Sequence, residues 1–256
     1  MSEPASIAIA IFAVLFIGVS KAGFGGGLGM LTTPLCVIAF GPKDAIGILL
    51  PLLCAGDFFS LFHYWKKWDA RNLLWLMPGV VPGIVIGTTL VGRFSARELN
   101  LAIGIIAVSF VTFQIFKDAI FKAEQKLRPS HWLGFPVGLV AGITSTFAHG
   151  AGPVVAMFLI PQKLPKEIFV GTSILVFSWI NWLKVPFFVH AGLIRPETLK
   201  TTLCFLVLIP VGVKLGIWLN TRFSEKGFLR FVFVATFITG IQLIFQFDLK
   251  HLFGVR

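Results

Sequence analysis

Charge is what this sequence has least of. Only 13% of its 256 residues are Asp, Glu, Lys or Arg, about half the share of an ordinary soluble domain. Hydrophobic residues make up 56% and mean hydropathy is +0.89. Cysteine is scarce as well. Cys36, Cys54 and Cys204 all fall in apolar stretches without CxxC or metal-ligand spacing, which reads as three buried structural thiols. Also missing are GxxxxGK[ST], GxGxxG in any register, HExxH and any Cys/His cluster. Those absences remove a P-loop, a dinucleotide fold and a recognisable catalytic metal centre, so no cofactor and no metal are expected. No polar stretch is long enough to hold a separate soluble enzyme.

What is present is a series of apolar runs, near 45–63, 73–91, 99–116, 168–190, 198–219 and 227–247. Each approaches the ~20 residues that a helix needs to cross a ~30 Å hydrocarbon core. The chain therefore reads as an all-α polytopic membrane protein. The first apolar segment starts at Ser6 with no basic residue before it and no small-residue cleavage site, which argues against a signal peptide. A formal net charge of +11 raises the question of nucleic acid. The Lys and Arg residues lie mostly in short loops between runs, where the positive-inside rule and anionic headgroups account for them. The expected surroundings are a lipid bilayer, with no nucleic acid.

The longest polar connection, KDAIFKAEQKLRPSH at 117–131, separates two similar halves. They read as a first transmembrane repeat over 5–118, a connecting loop over 119–131 and a second repeat over 132–250. Each half opens with an apolar stretch, a Gly-rich break and a short apolar stretch, then a turn: Pro42-Lys43-Asp44 in one, Pro165-Lys166-Glu167 in the other. Gly83, Gly87 and Arg93 recur as Gly212, Gly216 and Arg222, and Arg71 has its counterpart in Arg195. Duplication of a bundle explains a period this long. The segment from Ser6 to Phe40 is too long for one crossing and short for two. A re-entrant, Gly-broken helix pair fits it. Each half then crosses three times, and an odd number makes the halves inverted repeats. Loop Lys and Arg place 64–71 and 117–131 on the cytoplasmic side whether the opening segments turn back or cross, so charge alone does not choose.

The breaks are where chemistry is expected. Irregular backbone at membrane depth must line a cavity or be buried in protein. Gly23 to Gly29 contains five glycines and can expose its N–H groups. A half-helix restarting beyond it points its positive end into the gap, which suits an anion. His149-Gly150-Ala151-Gly152-Pro153 repeats the arrangement, with Pro153 suited to a first helical turn. The expected ligand contacts are Ser20, Lys21, Gly25, Gly26 and Gly27 at the first break, and Thr144, Ser145, Thr146, His149 and Gly150 at the second. The readings set against these are glycines that serve helix packing alone, a Lys21 that snorkels to a headgroup and a His149 that is merely a bonded core residue.

Three further ionisable residues interrupt apolar runs: Asp57, Lys184 and Lys214. A charge at mid-span costs at least ~2.5 kcal/mol, which makes each a candidate for coupling or charge balance. Snorkelling is the alternative for the two lysines. Asn181, three residues before Lys184, shares its helical face and is a further ligand candidate. Ser145 and His149, four apart, form the nearest thing to a catalytic pair. A nucleophile and base on one helical turn is thin support for an intramembrane serine hydrolase, and no enzymatic activity is expected.

The stretch GVSKAGFGGGLGMLTTPL, with Gly25-Gly26-Gly27, Pro34 and the Pro42-Lys43-Asp44-Ala45 turn, resembles the sulfite exporter TauE/SafE family over nearly the whole chain. The second copy, Gly150-Ala151-Gly152-Pro153 with Pro161, is looser and departs by carrying His149 and Pro153. The resemblance implies a multi-pass transporter of the cytoplasmic (inner) membrane. Its partner would be a small sulfur-containing anion such as sulfite or an organosulfonate, moved outward. Together with the residues, it gives the expectation of alternating access around a midplane anion site at the two breaks. The alternative is an anion channel or a structural membrane subunit.

Overall fold

The computed structural model describes residues 4–23, 29–123, 130–222 and 225–246. Among these there are helices and short connections but no strand. Eleven α-helices follow one another: α1 (Pro4–Gly23), α2 (Thr32–Phe40), α3 (Pro42–His63), α4 (Ala70–Arg93), α5 (Ala96–Ala123), α6 (Gly134–Ala148), α7 (Ala151–Leu159), α8 (Lys166–His190), α9 (Pro196–Leu206), α10 (Leu208–Arg222) and α11 (Glu225–Phe245). A 3-10 turn at Gly29–Leu31 leads into α2. Every apolar run is helical, as alternating or irregular backbone in lipid would leave polar groups bare.

Local signals set the ends. Gly41 takes φ 81°, a left-handed angle that closes α2 and lets Pro42 begin α3. Asp69 caps α4, accepting from the Asn72 N–H at 2.7 Å. At α5 the Ser95 N–H donates to Glu98 Oε2 at 2.7 Å and the Glu98 N–H donates to Ser95 Oγ at 3.3 Å, a capping box.

Four helical stretches are long and apolar enough to cross a membrane: Pro42–Phe62, Ala70–Arg93, Ala96–Phe116 and Lys166–His190. A fifth is made if Pro196–Leu206 and Leu208–Gly216 count as one span bent by 42°. The run 198–219, read from sequence as one span, is therefore broken at Val207. Pro210 has no N–H to give Leu206, which weakens the helix at that point. The last helix is apolar only over Leu229–Phe245, since Glu225 and Lys226 occupy its start.

Small residues bring the helices together. Gly79 and Gly83 of α4 lie against the carbonyls of Phe135 and Leu139, and Gly87 lies against Thr146. In return Gly138 and Gly142 of α6 lie against the carbonyls of Leu76 and Val80. α1 and α10 repeat this geometry, with Gly18 against Ile209 and Val213, and Gly212 and Gly216 against Leu15 and Val19. Backbones approach this closely only where no side chain intervenes. α3 and α8 run antiparallel: Gly47 meets Leu193, Asp57 meets Asn181, and Gly171 meets Lys67. α5 and α11 are also antiparallel, through Gly104 with Ile244 and Gly240 with Val108. Two exposed ion pairs join the halves, Asp44 with Arg195 and Lys67 with Glu167.

Of the three cysteines, Cys36 and Cys54 are buried but Cys204 is exposed. α9 turns Thr198, Thr202 and Phe205 inward, so Cys204, between them in register, is left on the outer face. It is an apolar position facing outward, not a core thiol.

Candidate functional site

α6 stops at His149 because that residue takes φ 50° and ψ 31°, a left-handed conformation uncommon outside glycine. The His149 N–H donates to Ser145 O at 3.0 Å and the Gly150 N–H to Thr144 O at 3.3 Å, closing the turn. Gly150 then starts α7. A Cβ at Gly150 would meet Met30 Sδ at 2.8 Å. Thr33 Oγ1 donates to Ala148 O at 2.8 Å. Met30 and Thr33 flank the start of α2, so the resumption of the chain after the first break touches the second break directly.

Lys184 of α8 lies at this junction, with no exposed surface. Its Nζ donates to Ser145 O, Ser145 Oγ and His149 Nδ1, each at 3.0 Å. Those three partners use all the donors of an ammonium. The Phe188 ring adds a face 5.7 Å from the same nitrogen. Ser145 O is one of the terminal carbonyls of α6, so the ammonium also sits at the negative end of that helix. Because Nδ1 of His149 accepts from Lys184, Nε2 carries the proton and donates to Ile46 O at 3.2 Å. His149 thus ties the second break to both α8 and α3.

One helical turn before Lys184, Asn181 Nδ2 donates to Asp57 Oδ2 at 2.6 Å. Both are buried, and the Asp57 carboxylate interacts electrostatically with Lys184. Asp57 with Asn181, and Lys184 with Ser145 and His149, thus form two bonded polar groups between α3, α6 and α8. Burying polar groups this deep is costly unless they are bonded, as these are.

The structure therefore brings Ser145, His149, Gly150, Asn181, Asp57 and Lys184 together. Thr144 and Thr146 are nearby, but their hydroxyls donate back to Val140 O and Gly142 O on their own helix. Lys214 is exposed on α10, away from these polar groups. Gly25, Gly26 and Gly27 lie outside the described residues, and so do the side chains of Ser20 and Lys21, whose backbone forms the last turns of α1. Sequence reasoning missed Met30, Thr33 and the centrality of Lys184. The available signal for the lysine was Asn181 on the same face of an otherwise apolar helix. Among the described residues, no group of His, Cys, Asp and Glu is arranged to hold a metal ion.

A bundle of apolar helices with a buried lysine at the turn between α6 and α7 suits a membrane protein with a polar site inside the bilayer. The family described as sulfite exporter TauE/SafE matches residues 10–243, and the chain belongs to that family of membrane transporters. No curated protein and no solved structure matched.

Proposed function

We propose that the protein is a secondary transporter that exports small sulfur-containing oxyanions, sulfite or organosulfonates, across the cytoplasmic membrane. The observation that carries this reading is Lys184, an ammonium with no exposed surface, held at the junction of the two breaks. Its donors are satisfied by a hydroxyl, a carbonyl and an imidazole nitrogen. Replacing one neutral acceptor by an anionic oxygen strengthens the bond that remains. His149 is the natural group to yield, and its Nε2 contact with Ile46 O passes the change to α3. Ser145 supplies a further donor, whereas the Gly150 N–H is already committed to Thr144 O. From the first break we assign Ser20, Lys21 and the N–H groups of Gly25, Gly26 and Gly27. Asn181 and Asp57 balance the charge of the site, and Lys214 has no part that its exposed position supports.

Two repeats of inverted orientation, over 5–118 and 132–250, are part of the same reading. Were each opening segment a full crossing, Asp44 and Arg195 would fall on opposite membrane faces, and so would Lys67 and Glu167. Both pairs are in contact. The antiparallel course of α3 with α8 and of α5 with α11, the corresponding spans of the two halves, gives independent support. Alternating access is then a rocking of the opening segments against the other spans.

Purified protein in liposomes tests the function. Sulfite uptake that saturates and is accelerated by sulfite inside is the expected result. Linear, unaccelerated flux would indicate a channel, and no flux with sulfite, thiosulfate or a sulfonate would overturn the proposal. The 3.0 Å approach of Lys184 Nζ to Ser145 Oγ favours one further reading, a serine–lysine hydrolase. Against it, Lys184 Nζ lies equally close to Ser145 O and His149 Nδ1, so the nitrogen is not directed at the Ser145 hydroxyl alone. Labelling of Ser145 by a serine-directed phosphonate would nevertheless establish that reading.

A further inference from the structure

We infer that the Thr32 hydroxyl is a substrate contact, so that the anion is held by the chain on both sides of the junction. This deepens the transporter reading and rests on it. Thr32 is 2% exposed, and its Oγ1 has no hydrogen-bond partner among the described residues. Its neighbour Thr33 donates to Ala148 O. The buried hydroxyls of Thr146, Thr172, Thr202, Thr236 and Thr239 each donate to a carbonyl one turn back on their own helix. Thr32 is the first residue of α2, directly after the 3-10 turn at Gly29–Leu31, and no such bond forms among the described residues.

A buried hydroxyl without a partner costs free energy that valine, of the same shape, would not incur. Among the described residues nothing satisfies the group, which leaves it available to a ligand oxygen. Cα–Cβ bonds tilt toward a helix N-terminus, so Thr32 leans toward the first break. It lies between the two residues, Met30 and Thr33, that touch Gly150 and Ala148. On this inference an oxyanion at the junction takes a neutral donor from α2 as well as the Lys184 side chain. The other orphaned buried threonine hydroxyl, Thr88, belongs to α4 beside the Gly87–Thr146 contact and serves as a control.

The test is sulfite uptake in liposomes with the wild type, Thr32→Val, Thr32→Ala, Thr32→Ser and Thr88→Val. Melting in detergent is followed with and without sulfite. The expected result is a KM raised about tenfold or more in Thr32→Val, because a hydrogen bond to a charged group is lost. Its ligand-free melting temperature should equal or exceed the wild type's. Thr32→Ser and Thr88→Val keep the wild-type KM. Should the valine variant not fold, Thr32→Ala is read in the same way. A wild-type KM in Thr32→Val or Thr32→Ala, beside a wild type that transports sulfite, overturns the inference alone. A wild type that neither transports nor is stabilised by sulfite, thiosulfate or a sulfonate removes the transporter reading and the role of Thr32 with it.

Discussion

His149 combines two demands that pull against each other. Its backbone is left-handed, which glycine adopts without strain, while its ring bridges Lys184 and Ile46. Glycine and alanine separate them. His149→Gly and His149→Ala both lose the bridge, but only alanine keeps the strain, so His149→Ala should be the less stable by about 1 kcal/mol. Thermal unfolding of the two in detergent checks this, and an alanine variant as stable as the glycine one would contradict it. At this scale the sequence was partly legible. Asp57, Asn181 and Lys184 stand out because charge and amide are costly in apolar runs. Their partners do not, since Lys184 and Ser145 are 39 positions apart on different helices. Thr32 gave no signal at all: a threonine at a helix start looks ordinary until its burial is seen and no partner is found among the described residues.

Elements were more legible than contacts. Every apolar run but 198–219 forms one helix among the described residues, and HGAGP marks a real interruption because it carries a C-terminal left-handed residue, glycine and a first-turn proline together. The bend at Val207 was not foreseen, since Pro78 and Pro82 lie within α4 without ending it. α4 is braced along its length by α6, and that contact sets the next expectation. Gly138→Ala places a methyl against the Leu76 carbonyl, an obstacle that cannot rotate away, and should destabilise by about 1–3 kcal/mol. Gly92, with nothing within 4 Å of an added Cβ, should tolerate alanine and gain up to about 1 kcal/mol in helix propensity. Melting temperatures of the two variants test the contrast. Equal effects would mean that the α4–α6 approach does not depend on the glycines.

For the whole molecule, recurring Gly and Arg positions suggest a duplication, whereas loop charge leaves the orientation of the halves undecided. The contacts Asp44–Arg195 and Lys67–Glu167 come from pairing across the chain, which no single-sequence pattern reports. If the halves are inverted, the 64–71 and 161–167 connections share a membrane side. Single cysteines at Arg71 and Lys163, both exposed, in a Cys204→Ser background should then react with a membrane-impermeant maleimide from the same face. The buried Cys36 and Cys54 leave that background quiet. Reaction from opposite faces would mean that each opening segment crosses the bilayer, and the proposed rocking motion would fall with it.

The most direct measurement is sulfite flux in liposomes for the wild type beside Lys184→Gln, with folding followed by melting in the absence of sulfite. Glutamine keeps a donor for Ser145 O but carries no charge. Saturable transport in the wild type and a loss of about a hundredfold in kcat/KM in a folded variant is the predicted result. A folded Lys184→Gln protein that transports sulfite as the wild type does would show that the buried ammonium only caps α6, and that the anion is bound elsewhere.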